Sequence, residues 1–220
     1  NLDNTGSSLL KMMAIIESRE FVKHLITFEN ILPSIMAAKS YDASSRKLYF
    51  DPEVYDAETN TWIREAPANR GVEPTYLEAH KEYSEMLTMV RDKLTGHITI
   101  GIEHISPVFA QEFLTLIIRE ANNLNRNIDI SSSSKALEYL TKELSQTNQL
   151  EVKKSISKII EHQFEQRMMA NIHQDYVLVP LEPPFVPEMK SGPIRSLIVI
   201  LSTVIAGMLS VMTVLFRHYF

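Results

Sequence analysis

SPVFAQEFLTLIIREANNLNRNIDISSSSKALEYLTKEL, residues 106–144, decides how the rest of the chain must be arranged. Ser106 offers an N-cap hydroxyl, and Pro107 takes the first helical position, where its missing N–H costs nothing. No Gly or Pro follows until Pro180. A single helix over 107–144 would be about 57 Å long, far beyond an ordinary globular helix. Its apolar residues are dense at Phe109, Phe113, Leu116, Ile117, Ala121, Leu124 and Ile128, fade across 131–134, and return as Leu137, Leu140 and Leu144. The first half is therefore expected in a core, and the second half is expected to project with a narrow apolar seam. Thr147-Asn148 reads as a turn, after which Val152, Ile156, Ile159, Ile160, Phe164 and Met168 mark a returning helix. Residues 106–173 thus form a helical arm. Leu137, Leu140, Leu144, Ile156 and Ile160 are its candidate contacts, because a narrow seam on an exposed arm needs covering by a partner.

On the N-terminal side, residues 97–105 alternate Ile98, Ile100 and Ile102 with His97, Thr99 and Gly101, the period of a half-buried strand. Its expected mate is YVLVPL, residues 176–181, on the far side of the arm. Residues 8–28 carry apolar positions at helical spacing, interrupted at Ser18-Arg19-Glu20, and predict two short helices. Residues 40–74, rich in Asp, Asn, Ser and Pro, predict a long structured loop, and Pro74 is expected to open a helix running to Thr95-Gly96. The fold class is α+β: an α/β base (1–105 and 174–182) bearing the arm, together a domain over 1–182.

On the C-terminal side, residues 183–195 are Pro-rich, with Pro183, Pro184, Pro187 and Pro193 favouring extended polyproline II. This reads as a stiff tether, with Pro183, Pro184 and Pro187 as candidate docking residues. Residues 196–216, SLIVILSTVIAGMLSVMTVLF, hold no charged residue, and about 31 Å of helix matches the hydrocarbon core of a bilayer. Arg195, Arg217 and His218 flank it, leaving a tail of 217–220. Ser202, Ala206 and Ser210 recur at i, i+4 and i+8 beside Gly207, a small-residue stripe that suits close approach of another membrane helix. The chain begins on Asn1, and a first membrane helix is expected ahead of it.

Composition narrows the function. The residues before the span hold 21 of the 22 Lys and Arg and all 27 Asp and Glu, a net charge of −6, which argues against nucleic acid as a partner. With no Cys, thiolate chemistry and disulfides are excluded. The seven His show no metal-ligand spacing, and adjacent Glu103 and His104 on a strand point to opposite faces. No nucleophile elbow, dinucleotide fingerprint or P-loop is present, and the Ser131–Ser134 run has no positioned base. Neither a catalytic residue nor a cofactor is indicated. A glycan enzyme would need paired carboxylates in a cleft, for which Glu103, Glu112 and Glu120 offer no distinctive pattern.

The order of these features, with AIIESREFVKHL (14–25), Tyr41-Asp42, Trp62-Ile63-Arg64, PTYLEA (74–79), TIGIEHISPVF (99–109), LEYLTKELSQTN (137–148), ANIHQDY (170–176) and the Pro-rich run into the span, resembles the polysaccharide co-polymerases, the Wzz-type O-antigen chain-length determinants. The resemblance covers essentially the whole chain. It implies a bacterial inner-membrane protein with a periplasmic α/β base, a long protruding helical hairpin and two membrane helices. It further implies a ring-shaped homo-oligomer that sets the modal length of the polysaccharide made by a Wzy-type polymerase, without catalysis of its own. The expected partners are other copies of the chain, that polymerase, the growing glycan and membrane lipid. The tyrosine-kinase domain of some capsule relatives is missing past the span, which favours the lipopolysaccharide branch. A membrane-anchored sensory or adaptor domain is the alternative reading.

Overall fold

The computed structural model describes residues 2–172, 177–187 and 195–219. His173, the first residue of the expected strand at 176, and the distal tether with Pro193 lie outside the described residues. Two compact units are present, Asn1–Val186 and Pro187–Phe220. The first begins with three helices, α1 (Leu2–Ile16), α2 (Arg19–Leu25) and α3 (Ile31–Met36). The break between α1 and α2 falls where the sequence turns polar, and Ser18 caps α2 by accepting from the Phe21 N–H at 3.2 Å.

Residues 37–102 depart most from expectation. The stretch read as a loop contains two small antiparallel hairpins, β1 (Ala38–Asp42) with β2 (Lys47–Phe50) and β3 (Tyr55–Asp56) with β4 (Thr61–Trp62). Helix α4 (Tyr76–Met86) opens at Thr75, one residue after Pro74, and stops nine residues short of Thr95. The remainder becomes β5 (Leu87–Arg91), which pairs antiparallel with β6 (Ile98–Ile102). The mate of the alternating Ile strand is therefore 87–91 and not 176–181; Val179 and Leu181 are exposed, with no strand among residues 177–181. β-branched Thr88 and Val90 favour the extended chain, and a hairpin partner a few residues away closes at far lower entropic cost than one beyond the arm.

One device makes all three hairpins. Asp42, Asp56 and Asp92 each accept a backbone N–H two residues on, from Ser44, Glu58 and Leu94. Four residues after each Asp the chain takes positive φ, at Arg46 (53°), Asn60 (53°) and Gly96 (75°). An Asx turn followed by a left-handed residue closes the loop. These bonds hold the carboxyls below their ordinary pKa, chiefly through the Ser45 hydroxyl for Asp42, the Thr59 hydroxyl for Asp56 and the Leu94 N–H for Asp92.

Helix α5 (Pro107–Gln146) has 40 residues, about 60 Å of continuous helix. Ser106 caps it as the sequence indicates, accepting from the Phe109 N–H at 3.2 Å. Its first half enters the core, where Phe113, Ile117 and Ala121 pack with Met12, Ile16, Phe21, Val22, Leu25, Ala79 and Tyr83. Tyr83, fully buried, donates to the Ile16 carbonyl at 3.1 Å and meets Phe113 edge-on at 6.0 Å. After residues 147–149 the chain returns as α6 (Leu150–Ile172), about 34 Å long, which packs against α5.

The second unit contains α7 (Arg195–Tyr219). Its residues Val199–Arg217 are long and apolar enough to cross a membrane.

Phe113→Ala, removing a ring at the centre of the core, is expected to lower stability by about 3–5 kcal/mol, whereas Leu140→Ala at a half-exposed position should cost clearly less. Denaturant melts of the two variants check this, and equal losses would contradict the placement of the core.

Candidate functional site

The residues expected as arm contacts lie on α5 and α6, which pack against each other. Leu137 is buried and Leu140, Leu144, Ile156 and Ile160 are half-buried, on the two helices that pack together. Ser133 is buried on the same α5 face, one turn before Leu137. What the pair leaves exposed is a different set, including Ile159, Phe164, Met168 and Ile172 of α6. On α7 the residues Ser202, Ala206, Gly207 and Ser210 are exposed, and a Cβ added at Gly207 would meet nothing within 4 Å. The Ser202 hydroxyl donates to its own helix at the Val199 carbonyl, 2.9 Å away.

The residues that meet around the middle of α5 form the most elaborate polar site. Asn122 is 2% exposed although it sits among the apolar positions of the helix. Its Oδ1 accepts the backbone N–H of Val177 at 3.1 Å and of Leu178 at 2.9 Å, while its Nδ2 donates to the Leu178 carbonyl at 2.8 Å. One carboxamide thus does for an extended segment what a neighbouring strand would do. Three turns earlier Gln111 Nε2 donates to the Pro184 carbonyl at 2.7 Å. Between them these side chains fasten the start of the Pro-rich run to α5, so that Pro184 is half-buried while Pro183 and Pro187 are exposed.

Beside this lies a charged cluster. Glu120, 9% exposed, receives Arg119 Nε at 2.9 Å on Oε1, and His24 Nε2 lies 3.0 Å from its Oε2. Burial raises the Glu120 pKa, but the bonds from His24 and Arg119 outweigh it, and the carboxyl ends below its ordinary value. Further along, Lys11 of α1 bonds Asp129 at 3.1 Å, and Asn125 donates to the same carboxylate at 3.0 Å.

Two other polar groups fix the base. His104 Nδ1 accepts the Ser106 N–H at 3.0 Å, which assigns the proton to Nε2, and Nε2 donates to the Ser34 carbonyl at 2.9 Å. Burial depresses its pKa, so the ring is a neutral clamp joining α3 to the turn into α5. Arg64 grips Glu78 through both terminal nitrogens at 3.1 Å, and Glu78 completes the Thr75 capping box while Arg70 approaches at 3.3 Å. Arg64 and the Thr75 N–H hold the Glu78 pKa down at about 2. Glu103, Glu112 and His162 are exposed. Among the described residues no three His, Asp or Glu side chains gather as a metal would require.

None of Asn122, Gln111 or the Arg64–Glu78 pair was marked as a site by spacing alone. The available signal for Asn122 was an amide among the buried positions of α5, which must find a bond off the helix. Compared with known proteins, the chain matches no family model and no curated protein.

Asn122→Leu keeps the volume but strands two N–H groups and a carbonyl. Amide exchange at Val177 and Leu178 should accelerate about tenfold or more while the α5 amides keep their protection. Unchanged exchange would show that the segment is held by other contacts. Because the Glu78 pKa is lower folded than unfolded, its contribution is full above about 4.5 and is lost as pH falls toward about 2. Acid unfolding of Glu78→Gln should therefore lack the loss of stability that the parent shows across that window.

Proposed function

We propose that this chain is a membrane-anchored, non-catalytic regulator of polysaccharide chain length, of the Wzz type. It sets the modal length of a lipopolysaccharide O-antigen or related surface polysaccharide made by a Wzy-type polymerase. In this reading α7 anchors the chain in the bacterial inner membrane and the bulk of residues 1–182 lies in the periplasm. The α/β base bears α5 and α6 as a protruding arm, and several copies close into a ring around the growing glycan.

The observation that supports the reading best is the use of α5 as a common axis. Its first half belongs to the core, its second half pairs with α6, and Asn122 and Gln111 bind the tether to its flank. A displacement of the arm is then passed to the segment that leads toward the apolar helix. The stretches that carry the resemblance also have structural work: Trp62-Ile63-Arg64 meets PTYLEA through Arg64 and Glu78, and IEHISP locks its turn through His104. The best-placed acid and base groups, His104 and Glu120, are engaged by neighbours on both of their polar atoms, as suits a scaffold.

If shape sets length, Leu140→Ala, Leu144→Ala and changes at Pro183, Pro184 or Pro187 should shift the modal glycan length without stopping synthesis. A catalytic group behaves otherwise, since losing an acid or base costs about 10²-fold or more in rate. Polysaccharide ladders from cells carrying each variant, beside alanine substitutions at Glu103, Glu112 and His162, test this. Abolished polymer in any one folded variant would replace the scaffold reading with a catalytic one.

A further inference from the structure

The Pro-rich segment is fastened to α5 at two points, Asn122 and Gln111. Between Asn122 and Gln111 it borders a half-open cavity of about 410 Å³, lined by Pro180 and Pro184 and by Thr115, Ile118, Arg119, Asn122, Asn123 and Arg126 of α5. Arg119 and Arg126 are seven positions apart, two turns and about 10 Å along one helix face. Both arginines line the cavity, in a unit whose net charge is negative, and Glu182, on the Pro-rich segment, is not among its lining residues. Glu120 offsets only one of the two charges, through Arg119 Nε.

The donors have directions to spare. Arg119 spends Nε on Glu120 with its guanidinium carbon 6.0 Å over the Phe28 ring, and keeps its two terminal amino groups as donors; Arg126 spends Nη2 on Asn123 Oδ1 at 2.8 Å and keeps Nε and Nη1. Asn123, accepting through Oδ1, keeps its Nδ2. The Thr115 hydroxyl is turned to the Gln111 carbonyl at 2.8 Å and adds none. Two guanidinium forks and an amide, spread over about 10 Å, offer more N–H groups than one carboxylate can accept, and they match an oxygen-rich, multiply charged anion. The walls are already held in place by Asn122 and Gln111, so little ordering is needed on binding.

We propose that this cavity is a binding site for a diphosphate or phosphodiester group, with Arg119 and Arg126 as its anchors. The group belongs either to a soluble phosphate ester or to a lipid headgroup. The site sits where the tether joins α5, so an occupant would contact both and stiffen their junction.

Titration calorimetry of the full chain in a neutral detergent, with inorganic pyrophosphate as the probe, tests the site. One saturable event per chain is expected, weakened by added salt. Arg126→Ala should reduce the affinity about tenfold or more. Arg126→Lys, which keeps the charge and loses the fork, should fall between the two. Arg126→Gln, which keeps the aliphatic stem and a polar end but removes the charge and the fork, guards against loss of fold. Absence of saturable heat, or parental affinity in a folded Arg126→Gln chain, overturns the proposal. Adding phosphatidylglycerol to the micelles separates the two sources: displaced pyrophosphate identifies a lipid headgroup, and undisturbed binding identifies a soluble phosphate ester, each with the same anchors.

Discussion

A helix of about 60 Å cannot leave its apolar side in water, and the covering of α5 organises the molecule. Near its start, Phe113, Ile117 and Ala121 draw α1, α2 and α4 into one core. Past Asp129, α5 carries the buried Ser133 and Leu137 and the half-buried Leu140 and Leu144, and α6 packs against this helix. The two regimes differ in energy. The first buries large side chains completely, whereas the second is a thinner contact with half-buried leucines and isoleucines and is the easier part to deform.

Polar side chains set the connections that burial alone would leave free to slide. His104 as a neutral clamp, Arg64 with Glu78, and Lys11 with Asp129 each join segments distant in sequence. Asn122 stands apart because it satisfies backbone groups, not another side chain, and so secures a Pro-containing segment that cannot form a regular ladder beyond Leu178. The tether therefore starts its course on the flank of α5.

Much of this was legible in the sequence, and the rest was hidden for physical reasons. Ser106-Pro107 marked the start of α5, and the lack of Gly or Pro until Pro180 let both long helices be read nearly to their ends. Residues 87–91 misled because Leu87 and Val90 continue the helical spacing of Tyr76, Ala79 and Tyr83, while a five-residue strand is too short for its alternation to dominate. The Asp-to-left-handed pattern, repeated at 42–46, 56–60 and 92–96, was the missed cue, since only Gly96 among the three left-handed residues is a glycine. Asn122 could be suspected from its place on a buried face, but its partners lie 55 and 56 positions away, and spacing holds no information about them. The leucines of the seam lie on a helix that packs against α6, a pairing that depends on how closely α6 approaches, which residue types alone leave open.

The function rests on whether the chain governs glycan length at all. The most direct measurement is the polysaccharide ladder on a gel from cells with and without the gene, at matched polymerase levels. A regulator of length gives a clustered modal distribution with the gene and a broad run of short chains without it, the total polymer being maintained. An unchanged ladder would remove the proposed role, and complete loss of polymer would point to an essential catalytic or export step instead.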